Sequence, residues 1–409
     1  MIEVIHWGAL AFASILSFIY FRDLGDVVQA VLSVERAKML FAIRHETAII
    51  GAAGMLLGIA LLLSFAFDAG NQFSFWLIAV NVFFLAFPWL WIHVGLRHQQ
   101  FSARYVTASE AAARIRPDES VIVIEHNGHA RAHADNQIWR PHLAGTPEGL
   151  GGENVIMTYC AMSHLGIGMR AEIDNEQLEL EVIAQHGNNL LMRDKATGEP
   201  VQQMYGYREC GGNAMQRWPT WRMSFRGFQK AWPEGQVFVN VVPRFRDNPL
   251  LFIVDNLVEF IFRVALTAHH HSEALMFETM THGDDRLPKK ALVWGIVEDG
   301  QAAAFTDDVI RSAGMITTRV GTRDIVLSYD AATESVNAFY NDSGDAVLSV
   351  DCYGNSNTGL LPRVSNLFPG LYWFVWVNFY PQTSLNQGYV GSDEIAEPEQ
   401  GSVPAPSMS

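Results

Sequence analysis

The stretch IIGAAGMLLGIALLLSFAF at residues 49–67 carries no charge and is long enough to cross a bilayer. An α-helix rises about 1.5 Å per residue, so roughly 20 apolar residues span the hydrocarbon. Two further runs share this property, and the three predicted transmembrane helices cover residues 4–21, 48–67 and 73–96. Burial of all three in one soluble core is disfavoured, because such runs in succession are hard to cover with protein. The sequence therefore predicts a transmembrane anchor at residues 1–100.

The distribution of basic residues predicts which side of the membrane the rest of the chain occupies. Cytoplasmic segments collect Lys and Arg. The segments after the first and third runs hold the cations Arg22, Arg36, Lys38, Arg44, Arg97, Arg104, Arg114 and Arg116. An outside N-terminus places all of them in the cytoplasm together with the soluble part. Residues 23–46 read as an amphipathic helix that lies either along the membrane face or against the soluble part.

An internal repeat organises the soluble part. Residues 124–138 read IEHNGHARAHADNQI, and residues 296–310 read IVEDGQAAAFTDDVI. Asn-Gly and Asp-Gly are strong hairpin signals, so turns are expected at Asn127–Gly128 and Asp299–Gly300. A second matching pair, NVIMTYC and DIVLSYD, follows at a nearly equal separation. The predicted fold class is mainly β (α+β), with two related halves at residues 101–248 and 286–390 and a disordered tail at 391–409. Residues 219–232 are predicted to be a helix.

The segment between the two halves, residues 249–285, is predicted to be an insertion with an amphipathic helix and a histidine tract. Asp255, Glu259 and Arg263 recur every four residues among apolar neighbours, as on one face of a helix. The tract at residues 269–271 is a candidate for metal binding. This helix is expected to lie on the membrane surface, pack on the anchor or bind a membrane protein; simple core packing is the alternative.

Bulk composition excludes some functions. The net charge of −15 argues against nucleic-acid binding, which needs a basic surface. The three cysteines, Cys160, Cys210 and Cys352, form no close pair and give no disulfide framework. No nucleophile elbow, P-loop, dinucleotide fingerprint or zinc-protease motif is present, so the sequence names no catalytic or cofactor-binding residue.

One short run carries the best candidate site. In YCAMSHLGIGM, the thiol of Cys160, the thioether of Met162 and the imidazole of His164 are ligand types that suit copper or zinc. Alternate residues of a strand share a face, so these three are expected to point the same way. His142 and His186 are expected to approach from neighbouring segments. The alternative is that Cys160 and Met162 are core residues and His164 is a hydrogen-bonded histidine.

The soluble part resembles the bacterial domain-of-unknown-function family numbered 3179. The resemblance rests on GHARAH, VIMTYC, NNLLMRDKATGE, DDRLPKKALVWGI and YWFVWVNFYPQT, and it covers residues 117–383. It implies a two-half fold and an exported placement, which conflicts with the charge bias. Where the family reads T-Y-C-P-x-C, this chain reads TYCAMS. Ser163 replaces the second cysteine, which opposes a dithiol mechanism unless Cys210 or Cys352 folds close by. His142 is the nearest match to a family histidine.

Three functions are consistent with these features. The leading one is a membrane-anchored accessory, assembly or metal-handling module in a bacterial inner membrane, which includes a role as one subunit of a membrane complex. The second is a redox enzyme that uses Cys160 with a metal and nearby histidines. The third is a structural scaffold without chemistry. The anchor has few polar groups at mid-membrane, which argues against a transporter or channel.

Overall fold

The computed structural model describes residues 1–209, 211–241 and 245–386. Within them the helices are α1 (Ile2–Leu24), α2 (Asp26–Gln29), α3 (Arg36–Arg44), α4 (Glu46–Phe67), α5 (Gln72–Leu90), α6 (Ala108–Ala111), α7 (Asp135–Ile138), α8 (Phe225–Ala231), α9 (Pro249–His271), α10 (Asp307–Ala313) and α11 (Trp373–Phe379). A π-helical segment, Trp91–Gly95, continues α5. Cys210 and the predicted disordered tail lie outside the described residues.

The strands follow the first five helices along the chain. They are β1 (Tyr105–Thr107), β2 (Ser120–His126), β3 (His129–Ala134), β4 (Leu143–Ala144), β5 (Val155–Cys160), β6 (Leu165–Arg170), β7 (Glu172–Ile173), β8 (Glu176–Gln177), β9 (Leu180–His186), β10 (Asn189–Asp194), β11 (Pro200–Gln202), β12 (Arg217–Trp218), β13 (Thr220–Ser224), β14 (Gln236–Phe238), β15 (Leu292–Glu298), β16 (Gln301–Thr306), β17 (Met315–Val320), β18 (Arg323–Asp330), β19 (Ser335–Tyr340), β20 (Asn355–Ser356), β21 (Gly359–Leu360), β22 (Leu367–Tyr372) and β23 (Ser384–Leu385).

Three N-terminal helices are long and apolar enough to cross a membrane: Ile2–Leu24, Glu46–Phe67 and Gln72–Gly95. The prediction of three such helices is confirmed. We call α1, α4 and α5 with its π-helical end the anchor helices. α1 packs against both of the others, and Phe21 stacks on Phe84 with ring centroids 4.4 Å apart. Most of their large apolar side chains face outward, as expected of helices whose surroundings are lipid.

The segment between the first two anchor helices packs on the β-rich part. Instead of one amphipathic helix over residues 23–46, it forms the short helices α2 and α3. Arg36 donates a hydrogen bond of 2.9 Å to Gln202, and Arg44 donates one of 3.1 Å to Glu199. The sequence predicted that this segment lies either along the membrane face or against the soluble part. In the structure it contacts the soluble part.

The remainder of the chain is β-rich, as predicted. One sheet has eight strands in the order β1-β14-β3-β2-β13-β19-β18-β17. Two sheets have four strands, in the orders β12-β6-β5-β4 and β22-β15-β16-β23, and a three-stranded sheet has the order β11-β10-β9. Together they form the β-domain. Its largest core cluster includes the fully buried side chains of Tyr159, Phe368, Trp373 and Trp376.

Both predicted hairpin turns are present. Asn127 and Gly128 have φ values of 51° and 80°, and Asp299 and Gly300 have 50° and 77°. Positive φ at both central residues defines the tight hairpin turn that Asn-Gly and Asp-Gly favour. β2 therefore pairs with β3, and β15 pairs with β16, in uninterrupted antiparallel register.

The two hairpins have the same neighbours in the fold. β13 lies antiparallel beside β2, and β14 lies parallel beside β3. In the same way, β22 lies antiparallel beside β15, and β23 lies parallel beside β16. A short helix follows each hairpin, and another separates β13 from β14 and β22 from β23.

One predicted helix is wrong over its first part. Residues 220–224 form the strand β13, and only Phe225–Ala231 is helical. The reason is that Trp221 and Met223 alternate with Arg222: the two apolar side chains join one core cluster, while Arg222 pairs with Asp135. A period of two indicates a strand, and it prevails over the aromatic spacing that suggested a helix.

Candidate functional site

The predicted metal ligands do not lie on one strand. β5 ends at Cys160, and residues 161–164 form the turn that leads into β6. The prediction that Cys160, Met162 and His164 share a strand face is therefore wrong, because alternation stops where the strand ends. Cys160 is fully buried, and its thiol donates to Gln185 Oε1 at 3.4 Å. Burial raises the pKa of this thiol, so it is held in the protonated form that binds metals poorly.

His142 and His186 lie in segments next to Cys160, and the Nδ1 atom of each has another partner. His142 Nδ1 donates to the Tyr159 carbonyl at 2.9 Å, and burial lowers the pKa of His142 to about 3. His186 Nδ1 lies 3.2 Å from Arg36. Burial, reinforced by the charge of Arg36, lowers the pKa of His186 to about 4. Within residues 1–209, 211–241 and 245–386, no group of three or more His, Cys, Asp or Glu side chains is placed to hold a metal ion.

His164 instead belongs to a polar cluster between the β5–β6 turn and the ends of β3 and β22. His164 Nε2 lies 3.2 Å from Asp135 Oδ2, and His164 Nδ1 lies 2.7 Å from the Gly370 carbonyl. Both ring nitrogens of His164 therefore face oxygen atoms that accept hydrogen bonds. The two side chains keep 18% and 23% of their surface exposed, so solvent reaches the pair. We call Asp135, His164, Arg222, His270 and Tyr372 the junction cluster.

Arg222 holds this cluster in place from the centre of β13. Its guanidinium donates to Asp135 at 2.8 Å, to the His164 carbonyl at 3.0 Å and to the Pro369 carbonyl at 3.2 Å. Burial alone raises the pKa of Asp135, but Arg222 and His164 outweigh it and lower that pKa to about 2. Gly370 has a φ of 70°, and a Cβ added there would lie 2.8 Å from Arg222 Cδ, so only glycine fits beside the guanidinium.

The histidine tract at the end of α9 completes the cluster. Tyr372 Oη and His270 Nδ1 are 2.6 Å apart, and the rings of His164 and His270 are separated by 6.0 Å. Burial lowers the pKa of His270 to about 4 and raises that of Tyr372 to about 12, so the tyrosine donates the hydrogen bond at neutral pH. His269 Nε2 donates to the Met162 carbonyl at 3.0 Å. Among the described residues, His269 Nδ1 and Asp135 Oδ1 are buried without a hydrogen-bond partner.

The junction cluster places a histidine–aspartate pair beside a tyrosine–histidine pair, and these side-chain types are the ones that serve as general acids and bases. Sequence reasoning singled out His164 and the histidine tract. It missed Asp135, Arg222 and Tyr372, which come from three distant segments and have no motif spacing. The only local signal for Asp135 is its place directly after the strand GHARAHA.

A second polar cluster joins the anchor helices to the β-domain. Arg193 of β10 donates to Glu46 at 2.6 Å and also pairs with Glu181 of β9. His93 lies between the carboxylates, 3.2 Å from Glu46 and 3.4 Å from Glu181. Tyr20 donates to Glu46 at 2.7 Å, so each anchor helix contributes one side chain. Burial raises the pKa of Glu181, but His93 and Arg193 outweigh it and lower that pKa to about 2.

The comparison with known families matches residues 100–383 to the model described as "Protein of unknown function (DUF3179)". The chain belongs to the DUF3179 family. No curated protein and no solved structure matches it.

The DUF3179 region contains the β-domain except its last strand, β23, together with α9 and every residue of the junction cluster. It begins after the last anchor helix, which ends at Gly95. Of the second polar cluster, Glu181 and Arg193 belong to the family region, whereas Tyr20, Glu46 and His93 come from the anchor helices. Because the family is described as being of unknown function, membership supports the fold and assigns no activity.

Proposed function

We propose that this protein is a membrane-anchored accessory module that holds its DUF3179 domain in one orientation at the membrane for assembly with other membrane proteins. The cluster of Glu46, His93, Glu181 and Arg193 carries the proposal. A domain that acts on freely diffusing molecules needs only a flexible tether. Here Glu46 of the anchor helices and Glu181 of the β-domain share Arg193 and His93. The two negative charges are balanced by two positive charges when His93 is protonated.

The short connection between the two parts supports a fixed orientation. Gly95 ends the last anchor helix, and the backbone of Gln99 already exchanges hydrogen bonds with Leu143 and Gly145 of the β-domain. The side chain of Gln100 bonds the backbone of Leu178 and Leu180 at 2.7 Å. Few residues are left between them to act as a hinge, so anchor and domain are expected to move together.

Native mass spectrometry of the full chain, extracted from its own membranes in mild detergent, tests the proposal. The expected result is a stoichiometric complex with another membrane protein. Replacing Arg193 by Met should reduce the complexed fraction at least several-fold, whereas the control Lys195→Met, directly after the same strand and in an exposed pair, should not. A chain that occurs only alone or with copies of itself would contradict an assembly role.

We also propose a membrane and a side of that membrane for the two parts of the chain. The anchor helices lie in a bacterial inner membrane, with the DUF3179 domain in the cytoplasm. The support is the set of eight Lys and Arg residues that this arrangement collects on one side. Export of the domain, as the family resemblance implies, is the competing placement. Labelling of an introduced Glu148→Cys, at an exposed turn, by an impermeant reagent in intact cells would favour export.

We also infer that the two halves of the domain are related by an approximate two-fold axis. The shared neighbours of the hairpins β2–β3 and β15–β16 support this relation. His164 and Glu334 occupy matching turns and have φ values of 58° and 55°. Superposition of the halves in an experimental structure tests this relation. If the strand order matches but the backbones of the two halves do not superpose, the two-fold relation is wrong.

Acid–base chemistry at the junction cluster is the second candidate function. It is favoured by the solvent-accessible Asp135–His164 pair beside Tyr372 and His270. Metal or thiol redox chemistry at Cys160 has less support because the thiol is buried. A panel of aryl ester and aryl phosphate substrates is the direct test. A rate above background that falls about 10²-fold or more in His164→Asn would support catalysis. A rate equal in wild type and variant would exclude the cluster.

A further inference from the structure

One face of α9 is apolar and exposed. The side chains of Leu250, Ile253, Leu257, Phe260, Ile261 and Val264 form this apolar band, and each exposes between 37% and 71% of its surface. Their spacing of three and four residues places them on one side of the helix for about four turns. No charged residue interrupts the band. Asn256 and Arg263 lie at its flank, and Asp255 lies on the opposite, buried face.

The opposite face of α9 is tied to the end of the last anchor helix. Asp255 accepts a hydrogen bond from Arg97 at 3.0 Å and pairs with the buried Arg140. Arg140 also donates to the Gly95 carbonyl at 2.9 Å, which is the last residue of that anchor helix. The rings of Trp91 and Phe262 stack with their centroids 5.3 Å apart. The position of α9 relative to the anchor is therefore fixed by buried polar and aromatic contacts.

This attachment determines what the apolar band faces. An anchor helix that crosses a bilayer ends near the headgroups, and its terminal tryptophans favour that depth. α9 is attached at Trp91 and Gly95, so it lies at the same depth. A large exposed apolar patch in water is unfavourable and marks an interaction site.

The charges nearby complement an anionic lipid surface. A groove beside the end of the last anchor helix is lined by Arg97, Arg104 and Val241, and it continues past Arg114 and one acidic residue, Glu110, so arginines outnumber carboxylates along it. Arg104 and Arg114 are exposed. Guanidinium groups next to an apolar helix face are the combination that interfacial helices use to bind headgroups and acyl chains together.

We propose that α9 lies in the surface of the same bilayer that holds the anchor, with its apolar band among the upper acyl chains and the groove arginines at the phosphates. This inference depends on membrane insertion of the anchor and not on the assembly role. It favours lipid over a protein occupant, because the band contains no hydrogen-bonding group that would give a protein partner specificity.

The test uses the full chain with Cys210→Ser, reconstituted in phosphatidylcholine vesicles with and without phosphatidylglycerol. A fluorophore is attached to Leu257→Cys on the apolar band or, as the matched control, to the neighbouring exposed Asn256→Cys. Cys160 and Cys352 are buried and are expected to stay unlabelled. Quenching by lipids brominated near the headgroup is compared with quenching by iodide in the aqueous phase.

The expected result is strong lipid quenching and weak iodide quenching at position 257, with the preference reversed at position 256. Replacing Arg104 and Arg114 together by Gln should reduce lipid quenching at 257 only in vesicles that contain phosphatidylglycerol. Two outcomes would overturn the proposal. Iodide quenching at 257 equal to that at 256 would place the band in water. Protection from both quenchers would place it against protein, either a second copy or another partner.

Discussion

Arg193 of the β-domain donates a hydrogen bond of 2.6 Å to Glu46, the first residue of the second anchor helix; the carboxylate is buried, and the guanidinium side chain keeps 12% of its surface exposed. Glu46 begins a helix whose other residues are almost entirely apolar, and its carboxylate contacts Arg193 of the β-domain together with Tyr20 and His93 of the other two anchor helices. A buried ion pair contributes little net stability compared with an apolar replacement, but the loss of one member is costly. The contact therefore specifies how the two parts fit together.

The first prediction concerns this pair. Arg193→Met leaves Glu46 and Glu181 buried without their cation, so the free energy of unfolding should fall by about 3–5 kcal/mol. Thermal unfolding in detergent micelles measures the change. The control Lys195→Met removes the exposed Lys195–Glu179 pair and should cost less than about 1 kcal/mol. Equal losses in the two variants would show that the buried cluster does not join anchor and domain.

The second prediction concerns Cys160. Since burial raises the pKa of its thiol, a maleimide should not modify Cys160 in the folded protein at neutral pH, and should do so once denaturant is added. An introduced Glu148→Cys at an exposed turn supplies the reactive control. Mass spectrometry of peptides locates the label. Cys160→Ser should change stability without changing copper or zinc content. A stoichiometric metal lost in this variant would restore the predicted metal site.

The anchor and the hairpins could be predicted from sequence because their signals are local. A long run of uncharged apolar residues predicts the helix at Glu46–Phe67. Asn127–Gly128 predicts a turn because both residues readily adopt positive φ. The metal site was a weaker inference. It assumed that Cys160, Met162 and His164 alternate along one strand, but that strand ends at Cys160. The junction cluster could not be predicted. Arg222 meets Asp135 and the carbonyl of Pro369 only through pairing of strands far apart in sequence.

The third prediction concerns Arg222. Lysine keeps the charge but has one nitrogen, and it cannot reach Asp135, the His164 carbonyl and the Pro369 carbonyl together. Arg222→Lys should lower the free energy of unfolding by about 2–3 kcal/mol, because buried acceptors lose their donors. Arg226→Lys, four residues on in an exposed pair with Glu334, should leave the free energy of unfolding nearly unchanged, because solvent screens that pair. Denaturant titration of both variants measures the difference. A similarly small loss at both sites would show that Arg222 does not hold the junction cluster in place.

The last prediction is the pH dependence that His142 gives to stability. Burial lowers the pKa of His142 to about 3, below the value of about 6.5 in an unfolded chain. The unfolded state therefore binds a proton more readily between these two values. The stabilisation is fully present above pH of about 6.5 and is lost as the pH falls toward the folded value, by at most about 1.4 kcal/mol per pH unit.

The variant His142→Asn isolates this contribution. Asparagine tolerates the φ of 58° at this position and does not titrate. The melting temperature of wild type should fall between about pH 7 and pH 5, and that of the variant should fall less, although the variant is less stable at neutral pH because it loses the ring contact with Phe262. Parallel pH profiles for the two proteins, with a constant offset, would mean that the proton taken up on acid unfolding does not come from His142.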